Sequence, residues 1–326
     1  MRARVLVVGA GRIAAVHALS ISRHPRLTLA GFVDPKGGHT LATDFDAALF
    51  SNWQEGIDRG KPDAVVITSP TASHVDYLLK CAALGMPCLC EKPISLEREP
   101  MLRAIEAVTR SQIPVILGFH RRYDPHRREM YFRRAEGEIG ALEHMLFLSR
   151  DPRLPDREVM KHQGGMVADM VIHDLDEALW YTGRLPDRIC ASLSRKEDPS
   201  LKEIGDFDTA NIQMEWMDGP VAQISAARRA AHAFEQRLEL CGPLGKLVCE
   251  DPRISVVSVD SDKGTTSSRR FSHFSDRYRD AYAAEMDNLA GILTANAEPV
   301  CSLNDGLMAF ELSQRVSAVA RTMTAD

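Results

Sequence analysis

Arg4-Val5-Leu6-Val7-Val8-Gly9-Ala10-Gly11-Arg12-Ile13-Ala14 is the stretch that decides the fold of this chain. Its opening is a short, unbroken apolar run rich in β-branched residues, the pattern of a strand covered on both faces. The run breaks into a G-x-G-x-x-A turn, and residues 15–22 continue with helical spacing. Gly9 permits the tight turn and Gly11 lets the backbone approach a pyrophosphate. Ala14 lets the helix pack close to the strand. The start of such a helix offers unpaired N–H groups and a positive dipole end to phosphates.

Working outward, a second apolar run over residues 27–33 ends at Asp34, about where an acid holds the ribose hydroxyls of a bound dinucleotide. A carboxylate there repels a 2′-phosphate, so NAD is expected over NADP, with nearby Lys36 leaving the smaller case for NADP. A third buried strand, residues 63–68, opens into Ser69-Pro70-Thr71-Ala72-Ser73-His74. This is a loop at a strand's C-terminal end, where open α/β sheets bind ligands. Ser69 and Thr71 could cap the following helix, expected over 72–84, or touch the dinucleotide, and His74 reads as a first-turn surface residue. Pro87-Cys88-Leu89-Cys90 is a further strand ending in Glu91-Lys92-Pro93. Proline cannot continue a ladder, so the chain turns there and leaves Lys92 at the ligand edge. A helix over 97–111 and a strand over 114–118 complete a doubly wound parallel sheet, a Rossmann domain expected to span 1–120.

The alternation of strand and helix stops near Gly118. After a helix over 125–134, period-two strands follow at 143–150, 189–195, 208–216, 221–228, 237–241, 246–249 and 254–259. Short turns such as Met217-Asp218-Gly219-Pro220 between them indicate a large, mainly antiparallel open-faced sheet. An α+β substrate-binding and oligomerisation domain is therefore expected over 121–326. The open sheet face suggests a homo-oligomer, a tetramer or dimer. Residues 260–272 read as a mobile hairpin, and helices over 278–296 and 303–322 close the chain.

Embedded in this half is a helix expected over 164–181, carrying Asp169 and, four residues later, His173. Positions four apart share a helix face, so the acid can fix the ring and stabilise its protonated form. Met170, Val171 and Ile172 lie between them and suit a half-buried site. Taken alone, such a pair also fits plain packing. Asp176 and Glu177 fall on the far turn.

Composition excludes several classes. The chain has 326 residues, a net charge of −5 and a pI near 6.1, giving no general pull toward nucleic acid or anionic membrane. Its basic run, Arg121-Arg122 to Arg127-Arg128, lacks the interleaved aromatics of a base-stacking platform. Seven scattered cysteines without C-x-x-C spacing read as free thiols in a reducing compartment. With no signal-peptide pattern and no bilayer-length apolar run, a cytoplasmic protein is expected.

These residues resemble the Gfo/Idh/MocA family of oxidoreductases across essentially the whole chain. The likeness rests on Gly9-x-Gly11-x-x-Ala14, Glu91-Lys92-Pro93 and the Asp169-x-x-x-His173-Asp174 helix, in family order. Three further stretches, Gly118-Phe119-His120-Arg121-Arg122-Tyr123-Asp124, Ser149-Arg150-Asp151-Pro152 and Gly205-Asp206-Phe207-Asp208-Thr209-Ala210, are similar to its inositol 2-dehydrogenase subgroup. The resemblance implies NAD-dependent oxidation of a ring hydroxyl of an inositol, with Lys92, Asp169 and His173 as the catalytic set. It implies a cofactor site drawn from Gly9, Gly11, Arg12, Ile13, Asp34, Ser69, Thr71, His74, Glu91 and Lys92. Substrate contacts would come from Lys92, Arg122, Asp151, Asp169, His173 and His232. His232 stands where the subgroup tends to have a tyrosine, and Gly37-Gly38 departs from the usual ordered helix after the ribose-binding acid.

Two rivals from other classes remain at this point. His162, Asp169, His173 and Asp176 could surround a divalent ion in a hydrolase or lyase, but the glycine turn and Asp34 would then have no job. A non-catalytic NAD-sensing module would not need the Lys–Asp–His set. Within the enzyme class, Arg121, Arg122 and Arg150 could grip the diphosphate of a nucleotide sugar or a carboxylate, whereas the resemblance favours a neutral polyol.

Overall fold

The computed structural model describes residues 2–295 and 297–323. The chain divides into two compact units, Met1–Asp124 with Arg279–Leu307, and Pro125–Tyr278 with Met308–Asp326. The sequence suggested a single cut near residue 120. Instead the chain returns late to its first unit.

The first unit is built on a parallel sheet of six strands: β1 (Ala3–Val8), β2 (Leu27–Val33), β3 (Leu49–Phe50), β4 (Ala64–Ile67), β5 (Cys88–Glu91) and β6 (Val115–Gly118). Their order is β3-β2-β1-β4-β5-β6, all pairs parallel. Strands β4, β5 and β6 are buried at every position, as continuous apolar runs between two helical layers require. Removing each such Val, Ile or Leu from water contributes about 1.5–3 kcal/mol. The helices are α1 (Arg12–Arg23), α2 (His39–Asp44), α3 (Trp53–Gly60), α4 (His74–Ala83) and α5 (Arg98–Ser111). The short α2 follows Gly37-Gly38, both at positive φ, so an abbreviated helix does stand after Asp34. Since the strands are parallel, the residues after β1, β2, β4 and β5 lie at one edge. The order reverses between β1 and β4, which makes that edge a crevice.

The second unit carries a six-stranded sheet, β7 (His144–Arg150), β8 (Arg188–Ser194), β9 (Thr209–Glu215), β10 (Val221–Ala227), β11 (Glu235–Gly242) and β12 (Gly245–Cys249). Its order is β12-β11-β7-β10-β9-β8, antiparallel except where β10 runs parallel to β7. Alternation along the strands buries one face, including Met145, Phe147, Ile212 and Ile224, and leaves Leu146, Gln213, Gln223 and Val248 exposed. Helices α6 (Pro125–Ala135) and the four-residue α7 (Arg157–Met160) precede the central helix of this unit. That helix opens as a widened π turn, Val167–Val171, and continues as α8 (Ile172–Thr182) until Gly183 ends it in the left-handed conformation.

The strand expected over 254–259 does not form as such. A small hairpin, β13 (Ser258–Ser261) with β14 (Gly264–Ser267), stands there instead. Val256 and Val257 are exposed, so the apolar run never finds a sheet to complete. Helices α9 (Phe274–Arg277), α10 (Arg279–Ala295) and α11 (Leu303–Met323) close the chain, and the expected end of α10 at Asn296 lies outside the described residues. All seven cysteines are free, with Cys190 exposed.

Candidate active site

In the first unit the glycine turn is fixed by its neighbours. Gly9 adopts φ +99°, and a Cβ there would sit 2.9 Å from the backbone of Thr68 and Ser69 at the end of β4. Only glycine allows that approach. Gly11 differs: it has an ordinary extended backbone, and a Cβ on it would meet nothing within 4 Å. The protein itself does not require glycine at 11, so the open space beside it suits a ligand's phosphates. No side chain caps α1 and its first turn holds no acid, which leaves its N–H groups to an anion.

Asp34 closes this edge. One of its oxygens accepts the Ala10 N–H at 2.9 Å and the other the Lys36 N–H at 2.8 Å, so the carboxylate is set before any ligand arrives. These residues fit a dinucleotide with free ribose hydroxyls. Arg12 is exposed and Ile13 half-buried at the open end of α1.

The structure assigns the remaining first-unit candidates unequal tasks. Thr71 begins a 3₁₀ turn, Thr71–Ser73, and makes no side-chain cap, while the Ser69 hydroxyl accepts from that of Ser73 at 2.8 Å. His74 corrects the sequence reading, because it is buried rather than a surface residue. Its Nε2 lies 2.8 Å from the Ser69 carbonyl and its Nδ1 2.8 Å from the Pro93 carbonyl. Both ring nitrogens thus face protein acceptors. His74 ties the loop after β4 to the turn after β5 and is not presented to a cofactor. Burial pulls its pKa below the usual histidine value, although both carbonyls pull it upward. Glu91 also turns inward, with its Oε1 2.7 Å from His17 Nε2 in the interior. Lys92, next in the chain, stays half-buried ahead of a cis bond to Pro93. Arg122 is buried and 3.0 Å from Asp305, whose carboxyl burial would raise but whose partners Arg122 and Ser302 hold below the usual range. An ion pair sequestered in this way is a structural cation first.

In the second unit, the helix from Met166 to Leu179 is buried at every position except two. Those two are Asp169 and His173. The π turn spans Asp169 and delivers His173 into the first turn of α8. Such widened turns recur at functional sites because they re-aim side chains within a helix. Asp174 is bonded instead to the Ser149 hydroxyl at 2.7 Å, and Glu177 lies 3.5 Å from buried Arg127. With Asp176 also buried, the acids of the far turn belong to the packing of α8 against the sheet. His162 is exposed, and among the described residues no three His, Cys, Asp or Glu side chains group as metal ligands.

Asp151, half-buried, follows β7, and its N–H reaches the Ala227 carbonyl. Arg150 spends its guanidinium on the Ser149 carbonyl and the Ser225 hydroxyl, and Arg121 is buried. His232 is exposed and 2.8 Å from Glu235. Sequence reasoning missed two groups, Arg228 with Asp206 in the second unit and His17 with Glu285 in the first. Their partners are distant in sequence, and no local spacing marks them.

A dinucleotide-binding sheet with its glycine turn and ribose-holding acid, together with a unit that leaves an acid and an imidazole half-buried on a buried helix, defines a nicotinamide-dependent oxidoreductase. The family model described as "Oxidoreductase family, NAD-binding Rossmann fold" matches residues 3–119, and the GFO/IDH/MocA C-terminal domain matches residues 128–248. The chain belongs to the Gfo/Idh/MocA family. It uses NAD and acts as a dehydrogenase on CH–OH groups. It is 32% identical over 318 residues, 96% of this chain and 95% of that one, to an inositol 2-dehydrogenase of Rhizobium meliloti. A scyllo-inositol 2-dehydrogenase (NAD(+)) of Bacillus subtilis is 28% identical over 95% of this chain and 91% of its own length. Among solved structures, a myo-inositol dehydrogenase from Corynebacterium glutamicum superposes with a TM-score of 0.92 at 32% identity, covering 99% of this chain and 98% of that one.

Proposed function

We propose that the chain oxidises one ring hydroxyl of an inositol, myo or scyllo, to the corresponding inosose. The observation that carries the assignment of its chemistry is the pair Asp169 and His173, the two half-buried positions on an otherwise buried helix. The relatives named above supply the polyol.

When bound, NAD supplies a hydride acceptor; the side chains do the rest. As the carbinol C–H bond breaks, the hydroxyl must lose its proton to a base within hydrogen-bond reach. His173 takes that proton, and Asp169, one turn earlier, orients the ring and stabilises the imidazolium. Lys92 holds the same oxygen and offsets the alkoxide charge that develops there. Gly9, Gly11, Arg12 and Ile13 hold the pyrophosphate, Asp34 the ribose, and Ser69 and Thr71 line the rest of the cofactor edge, while Glu91 braces it from the interior through His17. Asp151 and His232 complete the polyol site. The protein works in the cytoplasm as a homo-oligomer, a tetramer or dimer assembled through the open face of the second sheet. No helix of the described residues is long and apolar enough to cross a membrane.

The test is the appearance of reduced nicotinamide across a panel of inositols, aldoses and nucleotide sugars. Turnover confined to inositols supports the proposal, and turnover confined to a nucleotide sugar replaces the substrate. In the same assay His173→Ala and Lys92→Ala each lower kcat about 100-fold or more while NAD binding persists by fluorescence titration. Wild-type turnover in either variant removes that residue from its role.

A further inference from the structure

The Gly205-Asp206-Phe207-Asp208 loop between β8 and β9 has no place in the chemistry above, yet it is heavily built. Asp208 accepts the N–H groups of Lys196, Glu197 and Asp198 at 2.7, 2.8 and 3.0 Å, which folds the loop into one shape. Asp206 then faces the active helix. Its Oδ1 accepts the Met166 N–H at 2.7 Å, satisfying a donor at the start of that helix, and the Phe207 N–H at 2.8 Å. Its Oδ2 lies 2.7 Å from Nη1 of Arg228, at the end of β10. The other terminal nitrogen of Arg228 lies 3.5 Å from Oδ2 of Asp169. The guanidinium is 1% exposed and Asp206 4%, while Asp169 keeps 20%.

We propose that Arg228 and Asp206 form a positioning pair for Asp169, fixing its carboxylate and setting how strongly it draws a proton onto His173. The inference rests on Asp169 and His173 being the working acid and imidazole. An ion pair buried this deeply gives little net stability relative to apolar packing, so a role in setting local charge accounts for it better than folding does. Two carboxylates around one guanidinium leave a single net negative charge, which an imidazolium at His173 would balance. Without the guanidinium two negative charges would face the ring, and it would stay protonated at pH values where a base is needed. Without the charge of Asp206 the ring would lose its proton more easily. Arg228 at the end of β10, Asp206 from its loop and His173 from the same helix are charged groups on this turn, and in the proposed site Lys92 joins them through the substrate oxygen. Asp174 is occupied with Ser149 of β7, and Arg150 with Ser225 of β10.

Opposite pH shifts distinguish this role from mere bracing. In Arg228→Gln the acid limb of the kcat/KM profile moves to higher pH and kcat falls about 100-fold, with NAD affinity unchanged. Arg228→Lys returns the limb toward its wild-type position. Asp206→Asn, which keeps an acceptor for the Met166 and Phe207 N–H groups, moves the limb to lower pH and decides the matter alone if Arg228→Gln does not fold. Limbs that stay in place in the folded variants overturn the proposal. Asp169→Asn run alongside separates the two failures. If it is inactive while the other variants behave as wild type, the positioning role alone is wrong, and if it turns over normally, the site assignment falls too.

Discussion

Asp34 divides its two oxygens between the N–H groups of Ala10 and Lys36, and so serves the turn as well as the ribose. Replacing it removes charge-assisted bonds worth about 1.5–3 kcal/mol, or roughly 10- to 100-fold in affinity. Asp34→Ala is expected to raise the KM for NAD by that factor and to narrow the preference over NADP, as initial rates with each cofactor will show. Glu285 presents the opposite case. Neither of its oxygens meets a protein hydrogen-bond donor among the described residues, and His17 Nδ1 lies 4.0 Å from one of them. Burial, and then the charge of Glu91, push its carboxyl well above the usual 4.5. A native state that holds this proton more tightly than the unfolded chain has its full contribution below 4.5 and loses it as pH rises through the raised value. Glu285→Gln removes that loss. Its Tm is expected to exceed that of the wild type in mildly alkaline buffer, with the difference closing toward about pH 5.

At the scale of elements, His74 is the joint between two strand ends. It stands first in α4 because the 3₁₀ turn before it rotates the helix start inward, which the residue pattern of an exposed first turn did not disclose. Its pKa is lowered from 6.5, mainly by burial, so the stability it contributes is present above 6.5 and is lost as pH falls toward the lowered value. Urea midpoints of the wild type are expected to drop more steeply between about pH 7.5 and about pH 5.5 than those of His74→Gln. Equal slopes would show that His74 binds its proton as readily in the folded protein as in the unfolded chain. The active helix was easier to read, since the acid–imidazole spacing is local. Its π turn was not, because nothing in the residues Val167–Val171 announces an extra residue per turn.

For the molecule as a whole, the same division between local and distant information holds. The glycine turn, the buried strands around it and the alternation after residue 140 reveal both sheets. Strand β3 escaped notice because two residues carry no period, and the parallel pairing of β10 with β7 because pairing is a long-range choice. The site divides in the same way. Lys92, Asp169 and His173 sit in recognisable contexts, whereas His17 with Glu91, 74 residues apart, and Asp206 with Arg228, 22 apart, are joined only by folding.

The late return of the chain to its first unit has a consequence in time. His17 and Glu91 are made early, but Tyr282, which meets the His17 ring edge-on at 5.4 Å, and Glu285 come from Arg279–Leu307. All of Pro125–Tyr278 must be synthesised in between. At about 5–20 residues per second, that is a wait on the order of ten seconds. During it the ribosome carries a nucleotide-binding sheet whose buried acid and imidazole still face water. A nascent chain stalled before Arg279 should therefore be cut by protease within its first unit, and one released after Leu307 should resist.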